Sequence, residues 1–217
     1  MNIAFLGDIH EQYEVLNLAP PRAQLVIQLG DFGFLHQQPC TVTPLIETWF
    51  IDGNHDSIEM LHALEPTWFP DIKDKLQIGP NLFYIPRGSV HEIGNSIVGF
   101  LGGADSIDKA TRTEGVDWFR DETIKICDLV KLEDELTCHK KLDVLVTHAV
   151  PSTTLKTIFR DSKEPSPSAD MVEQAVKYFQ PALLICGHIH VDRTDDSSYS
   201  HTIVEILDIN QFKLFDL

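Results

Sequence analysis

A layered α/β fold is predicted by three features of the sequence: five short apolar runs ending in polar residues, helix-compatible segments between them, and a hairpin signal near mid-chain. The first run (residues 3–6) leads into Gly7-Asp8, the second (25–29) into Gly30-Asp31, and the third (48–51) into Asp52-Gly53-Asn54. Two later runs, 142–146 before Thr147-His148 and 182–186 before Gly187-His188, have the length and apolar content of buried strands. Helical character lies at 12–18, 57–64, roughly 116–136 and 169–179, the last behind the start signal Pro165-Ser-Pro-Ser168. Two β-rich runs between residues 82 and 101 flank Gly94-Asn95, which predicts a hairpin. At the C-terminal end, 202–207 and 212–215 read as one further strand pair. The Ser/Pro-rich stretch 162–168 reads as a surface loop, and residues 1–217 as one domain in which 101–140 forms a cap or substrate-facing segment.

Composition narrows the classes. With 217 residues, 43% hydrophobic and 23% charged, the chain can bury a substantial core, which argues against a disordered or fibrous protein. Thirty-three acidic against 17 basic residues leave a net charge of −16, so attraction to a nucleic-acid backbone or an anionic membrane is disfavoured. The longest apolar runs fall far short of the roughly 20 residues that span a bilayer. No basic segment leads into a secretory apolar stretch, and a cytoplasmic protein is expected. Cys40, Cys127, Cys138 and Cys186 share no CxxC spacing, which speaks against a disulfide framework or a zinc knuckle.

The chemistry resides at the ends of the apolar runs. Asp8, His10, Asp31, Asn54, His148, His188 and His190 all leave predicted strands at their carboxyl ends, where open α/β sheets bind ligands. Seven oxygen- or nitrogen-bearing side chains are thus expected along one sheet edge, enough for two metal ions. A carboxylate, amide and imidazole mixture suits Mn²⁺ first, with Fe or Zn²⁺ as alternatives, whereas Ca²⁺ would want oxygen throughout. Glycines precede Asp8, Asp31, Asn54 and His188, where a bare backbone permits the sharp turn that aims a ligand.

The blocks Gly7-Asp-Ile-His10, Gly30-Asp31, Gly53-Asn-His-Asp56, Thr147-His148 and Gly187-His-Ile-His190 resemble, in order and spacing, those of the calcineurin-like metallophosphoesterases. The resemblance implies a four-layer sandwich of two mixed β-sheets flanked by helices, and a dinuclear metal centre that hydrolyses phosphate esters. Carried over by position, Asp8, His10, Asp31 and His190 hold one ion, Asp31, Asn54, His148 and His188 hold the other, and Asp31 bridges. His55 matches the family's histidine that contacts the phosphate and assists the leaving group, so the catalytic residues implied are His55 and Asp31, with Asn54 and His55 also facing substrate. Two divalent cations offset by two carboxylates would leave a local charge of about +2 for an anionic substrate, despite the acidic surface.

Departures from the family pattern narrow the substrate. The protein phosphatase branch continues its Gly-Asp block into Val-Asp-Arg-Gly, but here it continues Phe32-Gly-Phe-Leu35. The nuclease branch expects a basic surface that −16 does not offer. Arg112, in the Gly-rich segment 101–112, reads equally as a phosphate clamp or as a solvated helix residue. Asp56 or Ser57 reads as the N-cap of the helix that starts there, in preference to Asp56 as a partner that orients His55. His36, His62, His91, His139 and His201 match no block and are assigned structural or surface roles, as is the acidic helix at 128–135. Trp49, Trp68 and Phe69 are assigned to the core, leaving Trp118-Phe119 as the aromatic pair for substrate contact.

The expected activity is that of a metal-dependent phosphoric ester hydrolase acting on a small phosphomonoester or phosphodiester such as a nucleotide-like metabolite. Two other classes compete with it: a non-catalytic scaffold of the same fold, which predicts eroded ligands, and a nuclease, which needs a basic groove. None of the seven ligand positions is eroded. Monoester or diester preference, physiological metal and oligomeric state are open at this level.

Overall fold

The computed structural model describes residues 1–34, 42–63, 75–159 and 166–217. His36, Cys40, Trp68, Phe69, the His62 side chain and residues 162–165 of the predicted surface loop lie outside the described set. The strands are β1 (Asn2–Leu6), β2 (Leu25–Gln28), β3 (Thr48–Phe50), β4 (Leu76–Gly79), β5 (Leu82–Tyr84), β6 (Ser89–Ile93), β7 (Ser96–Leu101), β8 (Val144–Thr147), β9 (Leu183–Cys186), β10 (Arg193–Asp195), β11 (Ile203–Ile206) and β12 (Phe212–Asp216). The α-helices are α1 (Ile58–Ala63), α2 (Ile126–Leu136), α3 (Ser152–Ile158) and α4 (Pro167–Phe179).

Two six-stranded mixed sheets result, ordered β12-β1-β2-β3-β5-β4 and β10-β11-β9-β8-β7-β6. Each has four parallel strands at its centre and one antiparallel strand at either edge. Alternation along β1 shows how the layers form: Ile3 and Phe5 point between the sheets, while Ala4 and Leu6 point outward. The inter-sheet core gathers Ile27, Trp49, Val98, Phe100, Val144, Val146 and Ile185 from both sheets. Outside the first sheet, Leu16 and Leu61 cover Val26 and Phe50; outside the second, Leu132 of α2 and Val172 and Val176 of α4 cover Leu145 and Leu184. Strands buried on both faces read as unbroken apolar runs, which is why β1, β2, β3, β8 and β9 were visible in the sequence. The family-implied four layers are present: helices, sheet, sheet, helices.

The Gly94-Asn95 hairpin forms between β6 and β7, with Gly94 at φ +63°. Ser166 caps α4 by accepting from the Ala169 N–H at 3.1 Å, Pro167 opens it, and Gln180 closes it at φ +49°. Elsewhere the outcome differs from expectation. Residues 202–207 and 212–215 do not pair with each other, because β11 joins β9 and β10 in the second sheet while β12 crosses to β1 in the first. The connection laces the sheets together under the first block, with Gly7 N–H donating to Gln211 O at 3.0 Å. Segment 12–18 is a 3-10 helix (Tyr13–Leu18), cut off by Pro20-Pro21. The helix expected from 116 starts only at Ile126, since 113–123 is held in an irregular path by polar contacts described below. No helix among the described residues is long and apolar enough to cross a membrane.

Candidate active site

The parallel strands of both sheets run the same way into one shared rim. β1, β2 and β3 deliver Asp8 and His10, Asp31, and Asn54 and His55; β8 and β9 deliver His148, and His188 and His190. The seven candidate ligands therefore meet across two sheets, where sequence had placed them on one edge. Asp8, Asp31, Asn54 and His148 are buried, and His190 is exposed.

Two groups of donors form. Asp8, His10, Asp31 and His190 lie together, as do Asp31, His148 and His188, with the donor atoms of each group within 4.8 Å of one another. Asp31 belongs to both: its Oδ2 lies 3.8 Å from His10 Nε2, and its Oδ1 lies 3.2 Å from His148 Nε2. His190 Nε2 is 3.0 Å from Asp8 Oδ2 and 3.2 Å from His10 Nε2. Asn54 joins the second group through Oδ1, 3.3 Å from His148 Nε2.

The donor set fits divalent cations on the chemistry of its histidines. His148 Nδ1 lies 2.7 Å from the Leu29 carbonyl oxygen, which can only accept; the proton sits there, and Nε2 is turned into the pocket as metal-binding histidines require. Burial lowers the His148 imidazole, but the adjacent Asp31 and Asp8 carboxylates outweigh it and hold it up at about 10; without a metal the pocket draws a proton to Nε2, and a divalent cation would take that proton's place. His188 is pushed down to about 4 by burial and by His148, which leaves its imidazole neutral with a lone pair free.

The glycines serve a different purpose from the one expected. Only Gly30 among those preceding ligands has positive φ (+96°). A Cβ on Gly53 would strike Asp31 Oδ1, and one on Gly187 would strike Asp8 Oδ1, so these glycines make room for a ligand that arrives from the neighbouring strand β2 in the first case and from the other sheet in the second. The sharp turns fall on the ligands themselves: His10 (φ +42°), Asp31 (+52°), His188 (+71°) and His190 (+51°) occupy left-handed backbone. Such conformations are costly for non-glycine residues and gather at functional sites.

Asp56 neither orients His55 nor caps α1; at the start of that helix it is Ser57 Oγ that accepts, from the Met60 N–H at 3.4 Å. Its fully buried carboxylate accepts the N–H groups of Phe32, Gly33, Phe34 and Gly53 at 2.7–3.1 Å, pinning the loop after Asp31 to the loop that carries Asn54. Burial and the nearby Asp31 charge push it up to about 7. His55 is held by its backbone, whose N–H donates to Asp31 Oδ1 at 2.8 Å. Its ring lies 4.9 Å from that of His10, and Arg112 spans it, Nη2 at 3.0 Å from Nε2 and Nη1 at 3.4 Å from Nδ1. Arg112 is itself fixed by Asp108 (2.7 Å) and the Asp117 carbonyl (3.1 Å), so it stands at the site and is not a solvated helix residue.

Three residues that sequence reasoning missed brace segment 103–123. Arg87 pairs with buried Asp52 at 2.7 Å and donates to the carbonyls of Glu122 and Thr123. Buried Ser106 accepts from Asn54 Nδ2 and donates to buried Glu122. No spacing signal marks them, because each contact joins residues 16 to 52 positions apart. Trp118 donates to Glu122 and is half-buried, and His91 packs its ring on Trp49 and Phe100.

No curated protein matches the chain. One solved structure covering 98% of its own length aligns with 99% of this chain at 12% identity and a TM-score of 0.59. A candidate 5'-nucleotidase of Staphylococcus aureus, solved with α-ketoglutarate, aligns with 97% of this chain over 49% of its own at 14% identity and a TM-score of 0.52. A Streptococcus pneumoniae protein described as a predicted phosphoesterase aligns over 96% of this chain and 72% of its own at 12% identity, with a TM-score of 0.40. The first two likenesses show the fold. A profile of the calcineurin-like phosphoesterases matches residues 1–192, the whole span over which the five blocks and their shared rim have been traced, and this chain belongs to that family.

Proposed function

We propose that the protein is a two-metal phosphoesterase of small phosphoesters, nucleotide-like metabolites being the class that best suits a compact acidic domain. The observation that carries the reading is the position of Asp31, whose two carboxylate oxygens face two separate ligand groups. Asp8, His10, Asp31 and His190 would hold one ion and Asp31, Asn54, His148 and His188 the other, with Mn²⁺ the best match to this mixture of carboxylate, amide and imidazole. Bound there, divalent cations supply charge to polarise the phosphoryl oxygens and to acidify a water.

The chain's own residues do the rest. His55 stands at the rim on the Asp31 side, where its ring can place an N–H on a phosphoryl oxygen and pass a proton to the leaving alkoxide. Arg112, prealigned by Asp108 and Asp117, presents a fixed cation next to that position and suits a phosphate oxygen by its forked geometry.

The test is metal analysis of the purified protein with hydrolysis of an aryl phosphomonoester and its matching diester, each with added Mn²⁺ and after chelation. Two equivalents of bound metal and turnover lost on chelation are expected. Metal-independent turnover, or no turnover with metal bound, would overturn the reading, the second outcome in favour of a scaffold.

A further inference from the structure

An asparagine can serve as a cation ligand only through its amide oxygen, and an amide that turns over by 180° offers an NH₂ group to the ion instead. What holds the Asn54 amide one way round is a chain of hydrogen bonds with a single direction. Asn54 Nδ2 donates to Ser106 Oγ at 3.1 Å, and Ser106 Oγ donates to Glu122 Oε2 at 2.6 Å. A serine hydroxyl carries one proton; once that proton is committed to Glu122, only lone pairs face Asn54, and they must receive its NH₂. Glu122 is held as the acceptor because the other groups hydrogen-bonded to its carboxylate also donate: the Ser106 N–H at 2.9 Å and Trp118 Nε1 at 2.9 Å. Asn54, Ser106 and Glu122 are 4%, 4% and 2% exposed, so water does not compete along the chain.

We propose that Glu122, acting through Ser106, is a positioning residue that orients the Asn54 amide with its oxygen toward His148 and Asp31; this rests on the two-metal reading above. The same network makes segment 103–123 part of the metal pocket. Its neighbour Asp105 accepts from Thr123 Oγ1, Ser166 Oγ and the Ser168 N–H, tying Ser106 to the start of α4. Replacing Glu122 by glutamine reverses the logic: the new NH₂ can donate to Ser106, which frees the hydroxyl proton for Asn54 Oδ1 and turns the Asn54 NH₂ into the pocket.

Calorimetric titration of the chelated protein with Mn²⁺ tests this. The parent should show two binding events, and Glu122→Gln should weaken one of them about 10- to 100-fold, the range for partners that orient a metal ligand, while leaving the other in place. Ser106→Ala removes the acceptor for Asn54 Nδ2 and should act in the same direction, which covers the case in which Glu122→Gln melts early. Asn54→Asp gives the decisive comparison. A carboxylate has no wrong way round, so adding Glu122→Gln to Asn54→Asp should cause no further loss, an outcome that a general structural role of Glu122 would not produce. Parent-like binding in both Glu122→Gln and Ser106→Ala, or an equal additional loss in the Asn54→Asp background, overturns the proposal while the two-metal reading stands. A parent that binds no Mn²⁺ overturns both.

Discussion

The backbone N–H of His55 donates to Asp31 Oδ1 at 2.8 Å, so the residue that faces both ligand groups also sets the place of the His55 imidazole. The two side chains nevertheless have separable duties. Asp31→Asn removes the charge shared by two ligand groups and should reduce both metal content and rate. His55→Ala leaves the N–H contact and the ligands intact, so metal should be retained while turnover on an alkyl ester falls about 10²- to 10⁴-fold. The fall should shrink on an activated aryl ester, whose leaving group departs without a proton. Metal stoichiometry and turnover of both variants on both esters decide the matter; loss of metal in His55→Ala as complete as in Asp31→Asn would refute the assignment.

Arg112 meets His55 with both terminal nitrogens while Asp108 holds its Nε. Arg112→Ala should therefore lower kcat/KM by about 10- to 100-fold, an effect larger for a dianionic monoester than for a monoanionic diester. Arg112→Lys should recover little, since a point charge cannot satisfy the same forked contacts. Steady-state kinetics on the matched pair of esters provides the check; equal losses on the two would show that Arg112 does not read the phosphate charge.

Four backbone N–H groups depend on Asp56. Asp56→Ala strands them in a dry interior, and the metal-free protein should lose about 3–5 kcal/mol of stability in urea unfolding. Asp56→Asn sets an NH₂ against these donors and should also destabilise, though less. A loss below about 1 kcal/mol for Asp56→Ala would mean that the loop holds its shape without this carboxylate.

Away from the site, Asp195 is buried at 5% exposure and accepts from Thr154 Oγ1, Ser197 and Ser198. Burial raises its carboxyl, but those donors overcome it and hold the group at about 2, below the usual 3.8. A depressed folded-state value means that the stabilisation is full above about pH 4 and is lost as pH falls through about 2. The shift of nearly two units corresponds to about 2 kcal/mol at neutral pH. Asp195→Asn should remove that amount at pH 7 and little at pH 2, read from denaturant midpoints across pH.

What the sequence by itself determined is the chemistry and the order of its parts. Parallel strands covered on both faces announced themselves as apolar runs, and the residue types at their ends, two carboxylates, an amide and four imidazoles, already named cations as ligands. Local signals of this kind survive because strand patterning and turn chemistry depend on near neighbours. Tertiary structure decided the rest. Residues 202–207 and 212–215 have the pattern of two strands, but nothing in that pattern says that one belongs to each sheet. Asp56 looks like a cap until the loop after Asp31 arrives with three amides to satisfy. Gly53 and Gly187 look like turn residues until Asp31 from the neighbouring strand and Asp8 from the opposite sheet fill the space a Cβ would occupy. The orientation of the Asn54 amide depends on Ser106 and Glu122, 52 and 68 positions along the chain, and on which of them holds a proton. Hydrogen-bond direction and strand partnership are properties of pairs brought together by folding, and no single stretch of sequence contains both members.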